Sequence, residues 1–256
     1  MKNVKTHKAP TTDYSRMAKY YDKVRPTPAH NMLNNIIKYG GINNSSYVLD
    51  IGCGTGRYLI NMPVNPHLFC ALEPSIDMLK QALEKDKPKR RAWVQGDGQN
   101  LPFKSNTFTC TYMTLVLHHI EDKPKTLKEI HRTLRPNGNL VVMTISHQHV
   151  KKGILSLFPG VTFIDLKRVP SIPSITKMMK TIGYRNIHYH PYEHDEGATP
   201  TEQFLERVKN KYISTLTLLP EEQFQRGYKI FEQRIRRKFG KTLRRTARFV
   251  YITANK

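Results

Sequence analysis

The sequence predicts an α/β fold with a doubly wound, mostly parallel sheet. Strand-like and helix-like stretches alternate from about residue 29 to residue 145, which is typical of βαβ units. The strand-like residues 47–51 lead directly into three glycines at alternate positions within 52–56, where backbone with positive φ can approach a ligand. In open α/β sheets ligands bind at the carboxyl ends of the strands. Three acidic residues are expected there, at or just after the ends of successive strands: Asp50, Glu73 and Asp97.

The periodicity of apolar residues assigns the individual elements. Strands are predicted at 47–51, 67–72, 92–95, 107–115, 139–145, 186–190 and 248–254, and helices at about 29–39, 57–62, 75–85, 122–134 and 174–181. In the helix that Ser75 caps, Ile76, Leu79 and Leu83 are expected to face inward. Residues 147–170 show little periodicity.

Two further helices are predicted before the last strand. The run 199–202, Thr-Pro-Thr-Glu, is consistent with a capping box that opens the first of them. The second has aromatic and aliphatic residues at helical spacing from Phe224 to Ile235 and ends at Gly240.

Composition limits the classes of protein that the chain can represent. The formal charge of +22 favours acidic partners such as nucleic acid, anionic lipid or phosphorylated metabolites, although a solvated basic surface would give the same number. No run of 18 apolar residues is long enough to span a membrane. The three scattered cysteines indicate buried thiols, and with no apolar leader they predict a reducing, cytoplasmic setting. Nothing in the cysteine spacing suggests a metal site.

The glycine spacing discriminates between cofactors. Gly52, Gly54 and Gly56 form G-x-G-x-G, whereas a dinucleotide site requires G-x-G-x-x-G and a phosphate loop requires G-K-[ST]. The run Val48 to Arg57 resembles motif I of the class I S-adenosylmethionine (SAM)-dependent methyltransferases. The resemblance extends over most of residues 13–146. It implies a seven-stranded Rossmann-like sheet with an antiparallel last strand, a helical amino-terminal cap and a helical insertion before that last strand.

The same resemblance assigns roles to residues at the strand ends. Glu73, in Leu-Glu-Pro-Ser, would accept the ribose hydroxyls of SAM, since a carboxylate has two acceptor oxygens. Met78 would lie on the adenine or fill a core gap, and Asp97 would accept from the adenine amine or simply form a turn. The implied cofactor-binding set is Tyr20, Arg25, Asp50, Gly52, Gly54, Gly56, Glu73, Pro74, Met78, Asp97, Gly98, Thr114 and Leu115.

Two segments would complete the site. Tyr20 and Arg25 lie in a family-like cap segment, and a guanidinium matches the SAM carboxylate; packing on the sheet is the alternative. His118 and His119 follow strand four and could accept a substrate proton, or they could orient loops by hydrogen bonding.

The resemblance divides the chain into an arm and cap helix (1–45), a SAM-binding core (46–146) and a lid with the remaining strands and basic helices (147–256), all in one domain. It predicts methylation of a small molecule on oxygen, nitrogen or carbon, as in the branch that modifies quinones, lipids or natural products. The positive charge adds that this molecule can be acidic or phosphorylated. The alternatives are an RNA methyltransferase using basic residues 234–248, and a SAM-binding protein without turnover. The motifs that commonly accompany amide, base-amine and cytosine-carbon methylation are absent from the sequence.

Overall fold

The computed structural model describes residues 18–25, 27–87 and 91–256, without the side chains of Lys19, Tyr20 and Val24. The α-helices are α1 (Ala18–Val24), α2 (His30–Gly40), α3 (Arg57–Ile60), α4 (Ile76–Lys85), α5 (Lys123–Thr133), α6 (His147–Lys152), α7 (Val161–Arg168), α8 (Ile172–Ile182), α9 (Thr201–Lys209), α10 (Ser214–Thr217) and α11 (Glu221–Phe239). The strands are β1 (Tyr47–Ile51), β2 (Leu68–Glu73), β3 (Ala92–Gln95), β4 (Phe108–Thr114), β5 (Leu134–Thr144), β6 (Arg185–Pro200) and β7 (Thr242–Asn255). Short 3-10 helices cover Leu117–His119 and Ile154–Leu157.

The strands of the described chain form one seven-stranded sheet in the order β3-β2-β1-β4-β5-β7-β6. The first five strands of this order pair in parallel, and β7 runs antiparallel to both β5 and β6. The predicted fold class is therefore confirmed, including the antiparallel last strand. The strand order changes direction between β1 and β4, and in such sheets this is where a ligand crevice opens.

Helices cover both faces of the parallel strands, which explains why the strands are apolar on both sides. Leu49 of β1 belongs to a buried cluster with Leu127 and Ile130 of α5. Its neighbour Val48 points to the opposite cluster, which contains Ile36 of α2 and Leu59 of α3. The glycine loop after β1 therefore leaves the sheet from a strand that is fixed on both faces.

The last two strands are much longer than the sequence indicates. The ladder between β6 and β7 extends from the pair Arg185–Asn255 to the pair Pro200–Thr242, whereas the sequence predicts strands only at 186–190 and 248–254. The extra length forms a two-stranded ribbon beyond the part of β7 that pairs with β5. Ion pairs such as Glu193–Arg248 join its strands. Charged residues therefore stand where apolar ones would alternate, and this alternation is the pattern by which a strand is recognised in a sequence.

The ribbon leads into a lid with a hydrophobic cluster of its own. This cluster combines Phe204 of α9, Phe231 of α11, Phe158 before α7 and Leu243 of β7. Residues 147–170, which show no clear period, form α6, α7 and a 3-10 helix around the same region. These helices are four to eight residues long, too short to reveal a helical repeat in the sequence.

Two local predictions about helices are wrong. In α4 the side chains of Ile76 and Leu83 are 45% and 52% exposed, because the helix packs through Met78, Leu79 and Ala82. α9 begins at Thr201 without a side-chain cap, because the preceding Thr199 and Pro200 are engaged in β6. The predicted cap at Ser75 is present, with its hydroxyl accepting a hydrogen bond from the amide of Met78.

Several of the basic carboxyl-terminal residues that an RNA-binding face would use are paired within the fold. Arg236 pairs with Glu202 and Glu232, and Arg244 pairs with Asp195. Arg234 donates a hydrogen bond to the carbonyl oxygen of Leu157. Several of the charges counted toward +22 are thus used within the fold.

Candidate active site

A large cavity lies at the carboxyl ends of β1, β2 and β4. Its volume is about 1020 Å³, and its wall comes from α1, the loops after β1 and β3, the strand ends, the segment from α6 to α7, the ribbon and α9–α10. Sites for a single small ligand span about 300–1,000 Å³. The cavity therefore has room for two molecules side by side.

The glycine loop forms one side of this cavity. Gly52, Gly54 and Gly56 have φ angles of 69°, 56° and 75°, a conformation that other residues rarely adopt. Gly54 lies on the cavity wall, and a Cβ added there would meet no atom within 4 Å. A Cβ on Gly52 would clash with Val116, and one on Gly56 with Trp93. Only at Gly54, therefore, does the missing side chain itself leave open space for a ligand.

Glu73 stands next to this loop at the end of β2. Its carboxylate is 6% exposed and accepts hydrogen bonds from the amide of Gly54 at 2.9 Å and of Ser75 at 3.0 Å. Burial raises the pKa of Glu73, while the two amide hydrogen bonds counteract that rise. A carboxylate has about four acceptor positions, so two remain for hydroxyl donors in the cavity. This donor–acceptor arrangement fits a ribose.

The other strand-end residues also line the cavity. Pro74, Met78, Asp97, Gly98 and Thr114 all lie on its wall. Met78 is fully buried, whereas Asp97 is exposed at the rim, where its carboxylate accepts from the Gln99 amide at 2.9 Å.

Leu115 also lines the cavity, and it has a left-handed backbone with φ of 59°. Strained backbone of this kind is found most often at functional sites. The chain leaves β4 at this residue.

Asp50 and Gly56 lie off the cavity wall. Asp50 is buried beneath the glycine loop and accepts a hydrogen bond from the Tyr112 hydroxyl at 2.9 Å. Burial raises its pKa to about 8, with a smaller contribution from Glu73. Gly56 faces Trp93 and Ile60. Any effect of these two residues on a ligand is therefore transmitted through the loop between them.

The histidine pair lies on the cavity wall after β4. The rings of His118 and His119 are 4.1 Å apart between centroids. Burial, together with the neighbouring Arg168 and Arg25, lowers the pKa of His119 to about 3. Burial, His119 and the same arginines hold the pKa of His118 well below its usual value. Both imidazoles are thus neutral at pH 7, and their lowered pKa values also make them weak bases.

The amino-terminal cap is joined to the glycine loop. The Thr55 hydroxyl donates to Asp22 at 2.6 Å, and Asp22 also pairs with Lys85 of α4. Arg25 lines the cavity, with its guanidinium carbon 5.3 Å from the centroid of the Tyr21 ring. The Tyr20 side chain lies outside the described residues.

The lid contributes residues that the sequence does not single out. Arg168, Arg207 and Arg245 line the cavity, although they are far apart in the chain and belong to no motif. Among the aromatic residues of the lid, Tyr212 lies on the cavity wall, while Phe158 and Phe204 are buried in the lid cluster. Phe163 is exposed, and Tyr192 packs beside Tyr251.

Among the described residues there is no group of three or more His, Cys, Asp or Glu side chains that could hold a metal ion. Within the same ranges no helix has both the length and the apolar character needed to cross a lipid bilayer. Cys53, Cys70 and Cys110 are free and buried.

Comparison with known proteins agrees with this geometry. Residues 49–142 match the family described as "Methyltransferase domain". The chain is 30% identical over 176 residues to the biotin biosynthesis bifunctional protein BioHC of Cellvibrio japonicus, covering 68% of this chain and 32% of that protein. It is 25% identical over 142 residues to the 2-phytyl-1,4-naphtoquinone methyltransferase of Nostoc punctiforme, covering 51% and 61%. The chain belongs to the class I SAM-dependent methyltransferases.

The fold agrees with this assignment over a longer stretch. A solved protein from an antibiotic biosynthesis pathway of Anabaena variabilis superposes with a TM-score of 0.69 at 22% identity, covering 88% of this chain and 97% of its own. The predicted family and its cofactor, SAM, are confirmed. The chain spans about a third and about three fifths of the two curated relatives, so their substrates are not carried over to it.

Proposed function

We propose that the protein transfers the methyl group of SAM to a small molecule bound under the lid. The observation that carries this proposal is that the glycine loop and Glu73 share one cavity with the histidine pair and the lid. The cofactor and an acceptor could therefore meet inside a space that is closed off from bulk water on several sides.

The cofactor, when bound, supplies an electrophilic methyl group on a sulfonium. The residues of this chain bind and orient it: Glu73 accepts from the ribose hydroxyls, Asp97 from the adenine amine, and Arg25 with Tyr20 holds the terminal carboxylate. The backbone of Gly52, Gly54, Thr114 and Leu115 completes the cradle, with Met78, Pro74 and Gly98 around the adenine. Asp50 and Gly56 act from behind by fixing the loop.

Methyl transfer depends mainly on placing the acceptor atom in line with the methyl group. The new bond uses a lone pair of that atom, and the electron pair of the broken bond stays on sulfur. Where the acceptor carries a proton, His118 or His119 takes it, since both lie on the cavity wall; their lowered pKa values make them weak bases, so that proton must already be acidic. The three free, buried thiols are consistent with work in the cytoplasm.

Calorimetric titration with S-adenosylhomocysteine tests the cofactor site. We expect micromolar binding by the unmodified protein, at least about tenfold weaker binding by Gly54→Val and Glu73→Ala, and unchanged binding by two control variants. Gly183→Val introduces valine at another left-handed glycine, away from the cavity, where an added Cβ would meet only the His131 ring at 3.7 Å, and Glu84→Ala removes an exposed carboxylate. Absence of binding by the unmodified protein would contradict the proposal.

A further inference from the structure

Three arginines from separate elements converge on the lid side of the cavity. Arg168 ends α7, Arg207 lies in α9 and Arg245 lies in β7, and all three line the same cavity. We call them the lid arginines. They come from other elements than Glu73 and the glycine loop, and we assign them to the part of the cavity that is left for the acceptor.

Two of the lid arginines have one carboxylate partner each. The side chain of Arg168 is 9% exposed, with its Nε 3.5 Å from Asp165 and a terminal nitrogen donating to the Ser214 hydroxyl at 2.6 Å. The side chain of Arg245 is 8% exposed and lies 3.1 Å from Glu196. These two cations are therefore balanced within the fold.

Arg207 adds a third positive charge to the same wall. No carboxylate within 4.0 Å pairs with it among the described residues, and its buried Nε has no hydrogen-bond partner in that part of the chain. Its guanidinium carbon stacks 4.9 Å from the centroid of the Tyr212 ring, which holds it in place. Burial lowers the pKa of Arg207, and the positive charges of Arg245 and Arg25 lower it further.

A half-buried guanidinium that lacks a counter-ion is costly, and it is stabilised when an anion binds beside it. The planar fork of arginine matches a carboxylate or a phosphate, which can accept two parallel hydrogen bonds. Among the described residues, Arg207 is therefore the lid arginine for which no carboxylate supplies a counter-charge within 4.0 Å. An anion of this kind would supply the missing charge and the missing acceptor at Arg207.

We infer that the methyl acceptor carries an anionic group, a carboxylate or a phosphate, which Arg207 binds with the other lid arginines beside it. This inference rests on the proposed function and names the substrate class of that same site. The anionic group anchors one end of the acceptor at the lid, and the reacting atom lies toward the cofactor side of the cavity. Neutral and cationic acceptors would not supply this counter-charge to Arg207.

Thermal unfolding in the presence of simple anions tests the inference. Inorganic phosphate and acetate are titrated separately, each with and without S-adenosylhomocysteine, into the unmodified protein, Arg207→Gln, Arg207→Lys and Arg237→Gln. Arg237 is exposed on α11 and off the cavity, so Arg237→Gln has the same net charge as Arg207→Gln and corrects for nonspecific binding to a basic surface.

We expect one of the two anions to stabilise the unmodified protein and Arg237→Gln at the same concentration. Arg207→Gln should need at least about tenfold more of that anion, and Arg207→Lys an intermediate amount because it keeps the charge but loses the fork. The anion that raises the unfolding temperature shows whether the group that binds Arg207 is a phosphate or a carboxylate. Equal responses of Arg207→Gln and Arg237→Gln to both anions overturn the inference.

The titration with S-adenosylhomocysteine separates this outcome from a failure of the proposed function. Normal binding of that ligand by Arg207→Gln shows that the variant is folded and that the cofactor site is intact. If Arg207→Gln does not fold, Arg207→Lys provides the comparison. If the unmodified protein fails to bind S-adenosylhomocysteine, the proposed function is wrong, and the anion arms measured without it still decide the role of Arg207.

Discussion

Asp50 illustrates how a motif residue can act without touching the ligand. The sequence places it at the end of the first strand, next to the glycine turn, which suggests a direct role. In the structure it is fully buried, with Tyr112 on one oxygen and no hydrogen-bond partner for the other among the described residues. Burial disfavours the ionised form of this carboxyl group and raises its pKa to about 8.

The raised pKa of Asp50 makes stability depend on pH. The unfolded chain ionises this group from about pH 4, while the folded chain keeps its proton up to about pH 8. The stabilisation that the folded protein gains from protonated Asp50 is therefore fully present below pH 4 and is lost as the pH rises toward 8. Asp50→Asn removes this titration and keeps an oxygen that can accept from the Tyr112 hydroxyl.

We expect the free energy of unfolding, measured in urea at pH 5 and pH 8, to fall less in Asp50→Asn than in the unmodified protein. The difference should be at least about 1.4 kcal/mol, the equivalent of one pKa unit. Asp77→Asn makes the same chemical change on the exposed first turn of α4 and should behave as the unmodified protein. Equal pH dependence of Asp50→Asn and Asp77→Asn would show that Asp50 ionises normally.

At the scale of elements, the lid is held together by one close contact between a helix and a loop. Gly227 of α11 faces Phe158, which is almost fully buried between Phe224 and Phe231. A Cβ on Gly227 would lie 2.6 Å from the Phe158 ring. The glycine is therefore required by packing, although it lies inside a helix where alanine is usually preferred.

Gly227→Ala should destabilise the protein, whereas the same change in an exposed helix stabilises by about 1 kcal/mol. Overpacking against Phe158 costs about 1–3 kcal/mol, which outweighs the gain in helix propensity. Gln233→Ala, on the exposed side of α11, is the control and should have little effect on unfolding in urea. If Gly227→Ala were as stable as the unmodified protein, the lid would be packed more loosely than described.

The elements differ in how well the sequence predicts them. The strands β1, β2 and β4 and the second half of β5 are buried on both faces, so short apolar runs bounded by turns mark them within a few residues. The β6–β7 ribbon is held by its backbone ladder and by exposed ion pairs such as Glu193–Arg248, which leave no apolar pattern. The family resemblance supplied the order of the strands, since periodicity contains no information about pairing.

The whole molecule is constrained by its last strand. β7 lies between β5 and β6, so the carboxyl terminus completes the sheet that the first half of the chain begins. One strand also joins two hydrophobic clusters, because Ile252 packs in the sheet core and Leu243 in the lid cluster. From this continuity we propose that the described parts of 1–45, 46–146 and 147–256 fold together as one domain.

We expect unfolding in urea to follow a single transition. The fluorescence of Trp93, the single tryptophan, reports on β3 and the glycine loop, while far-ultraviolet circular dichroism also includes the lid helices. The two signals should have the same midpoint, as for a two-state protein. Loss of helical signal at a urea concentration where Trp93 is still native would show that the lid is a separate unit.

The sequence predicts the residues of the site that a short local pattern marks. Gly54, Glu73 and Asp97 follow strands directly, and all three lie on the cavity wall. The lid arginines come from α7, α9 and β7, and their convergence depends on tertiary packing that no local pattern reveals. The cofactor side of the cavity was therefore accessible from the sequence, while the acceptor side required the structure.

The most direct test of the central claim is mass spectrometry of a cell extract incubated with the protein and SAM that carries a trideuterated methyl group. We expect a product that has gained one labelled methyl group, together with S-adenosylhomocysteine, and much less of this product with Glu73→Ala. The claim would be contradicted if the protein bound S-adenosylhomocysteine but gave no labelled product in any extract of its source cells. The protein would then be one that binds the cofactor without turning it over.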